Sequence, residues 1–509
     1  MNRKIQKECE SSTEYMLPDY LGDVKKLIST TARAIPSGQF NSEESCDVSG
    51  IVAYEMVYLD SDNKLSAASF SSDYDISFPV DSEAYVDSAV ATSLSNFAIR
   101  LTGPRKVSAK ANVISDICVS EKWEPTVKGS AFLETGEAQT VSKTVKLEAY
   151  LFGEGGEREF AEEAISLEGV NADEIEVITS NAYVRIEESI PVNDGVNIKG
   201  TLIVTAIVRT PEQSVFAIRR EIPFDETVSI SGATPEMTPE VDAELSSVTC
   251  GVSESENASV ISANVIMELK ARCAYNEEVS VIKDAYLKNR DTEQKYENLN
   301  YKEHLHSFTD DTVVNLKLAR AELGLENAKE IFSVNAELKS PSVVLEGSAA
   351  KIKTDAMFSG VACEINEDGN SAVIPLKFSH PLEFDVNLGC QTDENARVNV
   401  KLCFGGCEWN LDGDNLYLKC FINRTVSLYR EMCEKILSSC DVLGDAEYSK
   451  NLSRISVYYP EKNETLFDIA KKFHTTARDI AVDNDISAEV SALDGAPELA
   501  SGFEKLIIR

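Results

Sequence analysis

One stretch recurs three times in this chain, and that recurrence limits the fold more than any other feature. Residues 196–208, with Gly200 inside, are rich in β-branched residues and part-alternating in polarity, so they read as a strand. Ile222-Pro223-Phe224-Asp225 follows. A first copy holds Gly50 within residues 46–54 and leads to Asp75-Ile76-Ser77-Phe78-Pro79. A third holds Gly360 within residues 357–365 and leads to His380-Pro381-Leu382-Glu383-Phe384-Asp385. Upstream, residues 24–32, 175–182 and 331–336 form a second anchor, each ending in alanine. Ala32 to Gly50 and Ala182 to Gly200 are both 18 positions, whereas Ala336 to Gly360 is 24, so the third copy is expected to carry an insertion. The glycine steps are 200 − 50 = 150 and 360 − 200 = 160 residues. Solenoid repeats have periods of about 20–50 residues, so these are three whole domains in tandem.

The expected organisation is mainly β, with three sandwich-like repeats over residues 1–155, 156–320 and 321–450. Gly50, Gly200 and Gly360 are expected at one shared position, because glycine inside a strand permits close backbone approach or a bulge. Residues 428–443 fit helical spacing through Tyr429, Met432, Cys433, Ile436, Leu437 and Cys440, but the repeat places a strand there. Residues 1–22, with Pro18 and Gly22, read as an irregular polar lead. The link over residues 289–311 is the most polar stretch and reads as a mobile connection.

Charge narrows the function classes. With 49 basic and 85 acidic residues the net charge is −36, which excludes phosphate-driven nucleic-acid binding and disfavours anionic membrane surfaces. A basic patch on a protein partner is attracted over long range. The first twenty residues hold no apolar signal core, and no later run is long enough to span a bilayer, so neither export nor membrane insertion is expected. Twelve cysteines without a framework then read as reduced thiols in the cytoplasm.

The last sixty residues change character. A short strand at residues 454–459 precedes Thr465, a helix cap with Asp468 in the capping-box position. Leu466, Ile469, Ala470 and Phe473 recur as one apolar face, and Thr476 with Asp479 repeats the start signal. Residues 505–508 supply a closing strand, giving a βααβ module over 451–509. This pattern, from Val457 through Asn463-Glu464-Thr465-Leu466, Ile469-Ala470 and Phe473 to Asn484, Ile486, Gly502 and Ile508, resembles a LysM domain. The resemblance implies binding of N-acetylglucosamine glycans such as peptidoglycan between two loops. Carried over, the groove is Asn463, Glu464, Thr465 and Leu466 on one side and Asn484, Asp485 and Ile486 on the other. Asn463-Glu464 replaces the family's Gly-Asp, and the loop over residues 487–501 is longer than usual and lacks the proline before Gly502.

Leu17-Pro18-Asp19-Tyr20 leading into Asp23-Val24-Lys25-Lys26-Leu27, with the glycine strand and the Ile222-Pro223-Phe224 element, is similar to the SPOCS domain of sporulation proteins in clostridia and related bacteria. Tandem SPOCS domains with a terminal LysM resemble the SipL type of spore-coat morphogenetic protein. That resemblance implies a mother-cell cytosolic protein at the forespore surface, binding the coat-basement ATPase and linking coat assembly to the forespore.

A search for chemistry yields no catalytic residues, metal site or cofactor. His304-x-His306 lacks ligand partners at site spacing and reads as a solvated loop. Cys403 and Cys407, separated by Phe404-Gly405-Gly406, lack a second pair and read as a tight β-turn with inert thiols. Asp60-Ser61-Asp62-Asn63-Lys64 starts like a calcium loop, but Lys64 stands at the third ligand, so a hairpin turn is expected. Asp368-Gly369 and Asp412-Gly413 are also hairpin signals. Three functions compete: a non-enzymatic sporulation adaptor whose LysM-like module grips a coat-basement protein, a peptidoglycan-binding cell-wall protein, and a wall hydrolase with an unrecognised catalytic domain.

Overall fold

The computed structural model describes all residues except 1, 43–44, 80–84, 122, 129–137, 154, 169, 212–213, 256–257, 366–370, 447–454, 463 and 487–503. It is mainly β, with small antiparallel sheets and two short C-terminal helices. Two compact units are present. One comprises Met1–Lys122, Ala149–Tyr275 and Leu305–Tyr429; the other comprises Trp123–Glu148, Asn276–His304 and Arg430–Arg509.

Along the chain one strand order occurs three times. The first set is β1 (Asn2–Met16), β2 (Val24–Asn41), β3 (Ser45–Asp60), β4 (Leu65–Pro79), β5 (Tyr85–Leu101) and β6 (Lys106–Glu121). Its sheets are β2-β3-β4 and β1-β6-β5. After β7 (Ala138–Phe152) come β8 (Gly156–Glu168), β9 (Glu176–Val192), β10 (Gly195–Arg209), β11 (Val215–Ser229), β12 (Thr238–Ser255) and β13 (Ala258–Leu287). They form β9-β10-β11, and β13 flanked by β12 and β8. The third set is β14 (Arg290–Ala319), β15 (Ala328–Leu338), β16 (Ser342–Glu346), β17 (Ala349–Ile365), β18 (Ser371–Asn387), β19 (Ala396–Asp412) and β20 (Asn415–Asp445). Here β17 sits between β18 and the β15 and β16 pair, and the second sheet is β14-β20-β19. Each time the first strand of the set pairs with the last, closing the second sheet over the first.

Period-2 burial explains the pairing. On β3, Cys46, Val48, Val52 and Tyr54 point inward with Tyr74, Ile76 and Phe78 of β4, and meet Ala109, Ala111, Val113 and Ile117 of β6. Ile198, Leu202, Val204 and Phe224 meet Val265, Met267 and Leu269 in the second set. Phe358, Ala362 and Leu382 meet Leu416, Leu418 and Ile422 in the third. Burying each such large side chain contributes about 1.5–3 kcal/mol.

The register corrects the third glycine. Ala32 faces Tyr54, Ala182 faces Val204 and Ala336 faces Phe358. Pro223 faces Thr201, and Pro381 faces Asp355. Both anchors put Thr354, not Gly360, at the position of Gly50 and Gly200; Ala336 to Thr354 is again 18 residues, so the expected insertion is absent. The reason lies in the neighbouring strand. β9 continues past Gly200 with a bulge between Lys199 and Gly200, and the Arg185 carbonyl occupies the place a Cβ would take. Ile35 O does the same at Gly50. In the third set the neighbour is broken between β15 and β16, so a side chain fits, and Thr354 Oγ1 donates to Lys339 O at 2.6 Å. Gly360 serves a different bulge, between Ile331 and Ser333, where the Ser333 carbonyl crowds it.

Other expectations change as well. The lead is largely strand β1, because its polar residues sit at a sheet edge where only alternate positions face the core. The polar link over 289–311 lies in β14, an edge strand for the same reason. His304 is buried on β14, with Nδ1 3.9 Å from Glu148 Oε1, and is not in a solvated loop. Cys403 and Cys407 lie within β19; Gly406 at φ +99° bends the strand without ending it. Residues 428–443 fall in strand β20, as the repeat required. Asp60 Oδ1 closes the β3–β4 turn by accepting from the amides of Asp62 and Lys64, and Gly413 at φ +54° lies in the β19–β20 turn. Asp368-Gly369 lies outside the described residues.

In the second unit Val145, Leu147, Val281, Leu299, Tyr301 and Ile436 form one core. Glu434 accepts from Lys143 and, at 2.8 Å, from Lys283. The C-terminal part runs β21 (Ser456–Tyr458), α1 (Leu466–Lys472), α2 (Ala477–Asp483) and β22 (Leu506–Ile508), with β21 antiparallel to β22. Thr465 and Asp468 make the reciprocal capping box, and Thr476 Oγ1 accepts from Asp479 N. Leu466, Ile469, Ala470, Ile480, Leu506 and Ile508 form its core, with Phe473 half-buried at its margin.

Candidate partner-binding surfaces

Most described residues of the sequence-derived groove have structural tasks. Glu464 Oε1 accepts from the Tyr458 hydroxyl at 2.9 Å, and Oε2 accepts from Glu461 N at 2.9 Å. Thr465 caps α1, and Leu466 is buried in the core. Asn484 is a clasp: Nδ2 donates to Ile480 O and Ile507 O, and Oδ1 accepts from Ile507 N at 2.6 Å. Both faces of its amide are therefore spent fixing β22 to the end of α2. Asp485, at φ +53°, is exposed, and Ile486 packs against the same core as Leu466. Asn463 lies outside the described residues.

A second place went unread in the sequence. Where the three sheet pairs of the first unit meet, Ile28, Val57, Ile207, Phe332 and Val361 form an apolar cluster. Val57, Ile207 and Val361 are equivalent by the corrected register. Beside them lies a cavity of about 30 Å³, lined by Thr31, Glu55, Thr179, Asn181, Tyr183 and Asn335 among others. That is room for about one water molecule. The Tyr183 hydroxyl donates to Asn335 Oδ1 at 2.6 Å, and Asn181 Nδ2 donates to the Tyr183 oxygen at 3.1 Å. Burial pushes the Glu55 carboxyl up, against the hydrogen bond from Thr179 and the charge of Arg33. Thr31, Asn181 and Asn335 each precede an anchor alanine, so a polar residue at one repeat position was the available signal. These fixed amides and hydroxyls hold the strand sets in register.

Residues 174–253 match the family described as SipL, SPOCS domain. A SipL SPOCS domain is thus detected in this segment. It spans β9, β10, β11 and most of β12. No curated protein and no solved structure matches the chain. A SPOCS domain of this family points to a spore-coat protein with coat proteins as partners.

The SPOCS segment is bound to the third strand set by buried and part-buried polar contacts, Glu240 also pairing within its own set. Glu240, on β12, accepts from Arg272 Nε at 2.8 Å and from Ser427 Oγ at 2.6 Å. Burial alone would raise its carboxyl, but Arg272, Lys4 and Ser427 hold it down at about 2. Asp242 pairs with Lys401 at 2.5 Å, and Arg185 with Asp311 at 2.6 Å. Asn423 donates to Val184 O and accepts from Ile186 N, joining β20 to β9. Among the described residues no cluster of His, Cys, Asp and Glu could hold a metal ion, and no helix is long and apolar enough to cross a membrane.

Proposed function

We propose that this chain is a non-enzymatic sporulation adaptor, a scaffold of three SPOCS copies followed by a LysM-like module that binds a coat-basement protein. The carrying observation is the SPOCS match at residues 174–253 within one of three strand sets of identical order. On this reading β1–β6, β8–β13 and β14–β20 are the three copies, and the partner is the coat-basement morphogenetic ATPase in the mother-cell cytosol at the forespore surface. The groove favours a protein over a glycan. The side chains of Glu464 and Asn484, which a sugar would need as hydrogen-bonding partners, are already engaged within the module. Exposed Asp485 and the overall charge of −36 suit a basic protein surface better than an acidic wall polymer.

The test is binding of purified coat-basement ATPase to the full chain across a salt series. Reversing Asp485 to Lys, alone and with Glu464→Lys, should slow association and flatten its salt dependence. Association unchanged by both variants removes the module from the interface.

A further inference from the structure

Part of the surface of the helical pair is already occupied. Where β13 turns into β14, residues 284–291 lie against α1, α2 and the turn between them. Tyr286, only 1% exposed, belongs to the same apolar core as Leu466, Ile469, Ile480 and Leu506. Its ring meets Phe467 edge-on with centroids 5.0 Å apart, and its hydroxyl donates to Thr475 O at 2.9 Å. Asn289 N donates to His474 O at 2.9 Å, and His474 holds a left-handed φ of +53° in that turn. Two ion pairs accompany the aromatic contact, Lys471 with Asp284 at 2.6 Å and Lys288 with Asp479 at 2.6 Å, and His474 Nε2 lies 3.4 Å from Asp291 Oδ1.

We propose that the C-terminal helical pair is a clasped element rather than a free-standing module: its fold depends on the β13–β14 turn, which acts as a latch that can be opened. Each helix has only seven residues, too short to persist without tertiary packing. A module of under about 60 residues has little core of its own, and here one of its largest buried side chains comes from outside it. A left-handed backbone is uncommon outside glycine, so a partner for the His474 carbonyl stabilises a turn that is otherwise unfavourable. A coat partner that needed Phe467 or Lys471 would have to open the latch. The clasp does not rest on the adaptor reading, since it follows from contacts within this chain.

Hydrogen exchange on the full chain tests it, with amides of the central sheet strands β3, β10 and β17 as internal reference. Tyr286→Ala and Lys471→Glu should each speed exchange across α1 and α2 by at least about tenfold while the reference strands stay unchanged. Combining Lys471→Glu with Asp284→Lys should slow exchange again towards wild type, because the pair is restored with its charges exchanged. Exchange unchanged in both single variants overturns the proposal, and so does a double variant no slower than Lys471→Glu alone.

Discussion

At the scale of single residues, the buried carboxylate of Glu240 gives the clearest prediction. Its folded value, near 2, lies below the unfolded glutamate value of about 4.3. A depressed carboxylate contributes stability that is present above the unfolded value and lost as pH falls through the folded one. Urea midpoints should therefore fall between about pH 5 and pH 2. Glu240→Gln should flatten that part of the profile; an unaltered profile would remove Glu240 from acid sensitivity. Glu240→Ala leaves the half-buried Arg272 without its main counter-charge and the Ser427 hydroxyl without its acceptor, and should cost about 1–3 kcal/mol at neutral pH. Gly200 is a second sensitive position. A methyl group there meets the Arg185 carbonyl and the Phe224 ring, so Gly200→Ala should destabilise by about 1–3 kcal/mol in a denaturant titration. Thr354→Ala, at the equivalent place in the third set, loses one hydroxyl contact and should cost about 1 kcal/mol.

Elements were legible where burial alternates and illegible where it does not. The strand around Gly200 is a central strand with one face in the core, and its β-branched residues announced it. β1 and β14 are edge strands whose polar residues mimic a loop, so composition hid them. Gly360 misled because glycine marks bulges in general, and the bulge it serves, opposite Ile331 and Ser333, lies six residues along β17 from the position equivalent to Gly200; only the pairing of Ala336 and Pro381 separates the two places. In the C-terminal part the caps were readable, since Thr465-x-x-Asp468 carries its own local hydrogen bonds. The groove was readable as a pattern but not in its chemistry, because no spacing reveals that Asn484 turns its amide onto Ile507. Tyr286 was beyond reach for the same reason, its contacts being 180 or more residues away. Two stability predictions belong here. Ile469→Ala, at a fully buried position, should cost about 2–5 kcal/mol. Thr465→Ala should cost about 1 kcal/mol through loss of the cap. Both should appear as faster exchange in α1 and α2; an Ile469→Ala variant with wild-type exchange would contradict the core assigned to the module.

For the whole molecule, the repeated strand order and the polar seams of the first unit fit the proposed scaffold. Three sheet pairs meet over Val57, Ile207 and Val361; Tyr183 and Asn181 bond to Asn335 of the third set and Thr179 bonds to Glu55 of the first, so their mutual arrangement is fixed by specific hydrogen bonds as well as by apolar contact. Such a body suits display of surfaces at set spacings. The adaptor reading places protein recognition, and not glycan recognition, on the C-terminal module. Calorimetry of the full chain against purified muropeptides and against coat-basement ATPase tests this most directly. The account predicts saturable binding of the ATPase and no heat of binding from muropeptides. Stoichiometric muropeptide binding that is lost on Thr465→Ala or Asn484→Ala, in variants whose exchange shows the module still folded, would contradict it.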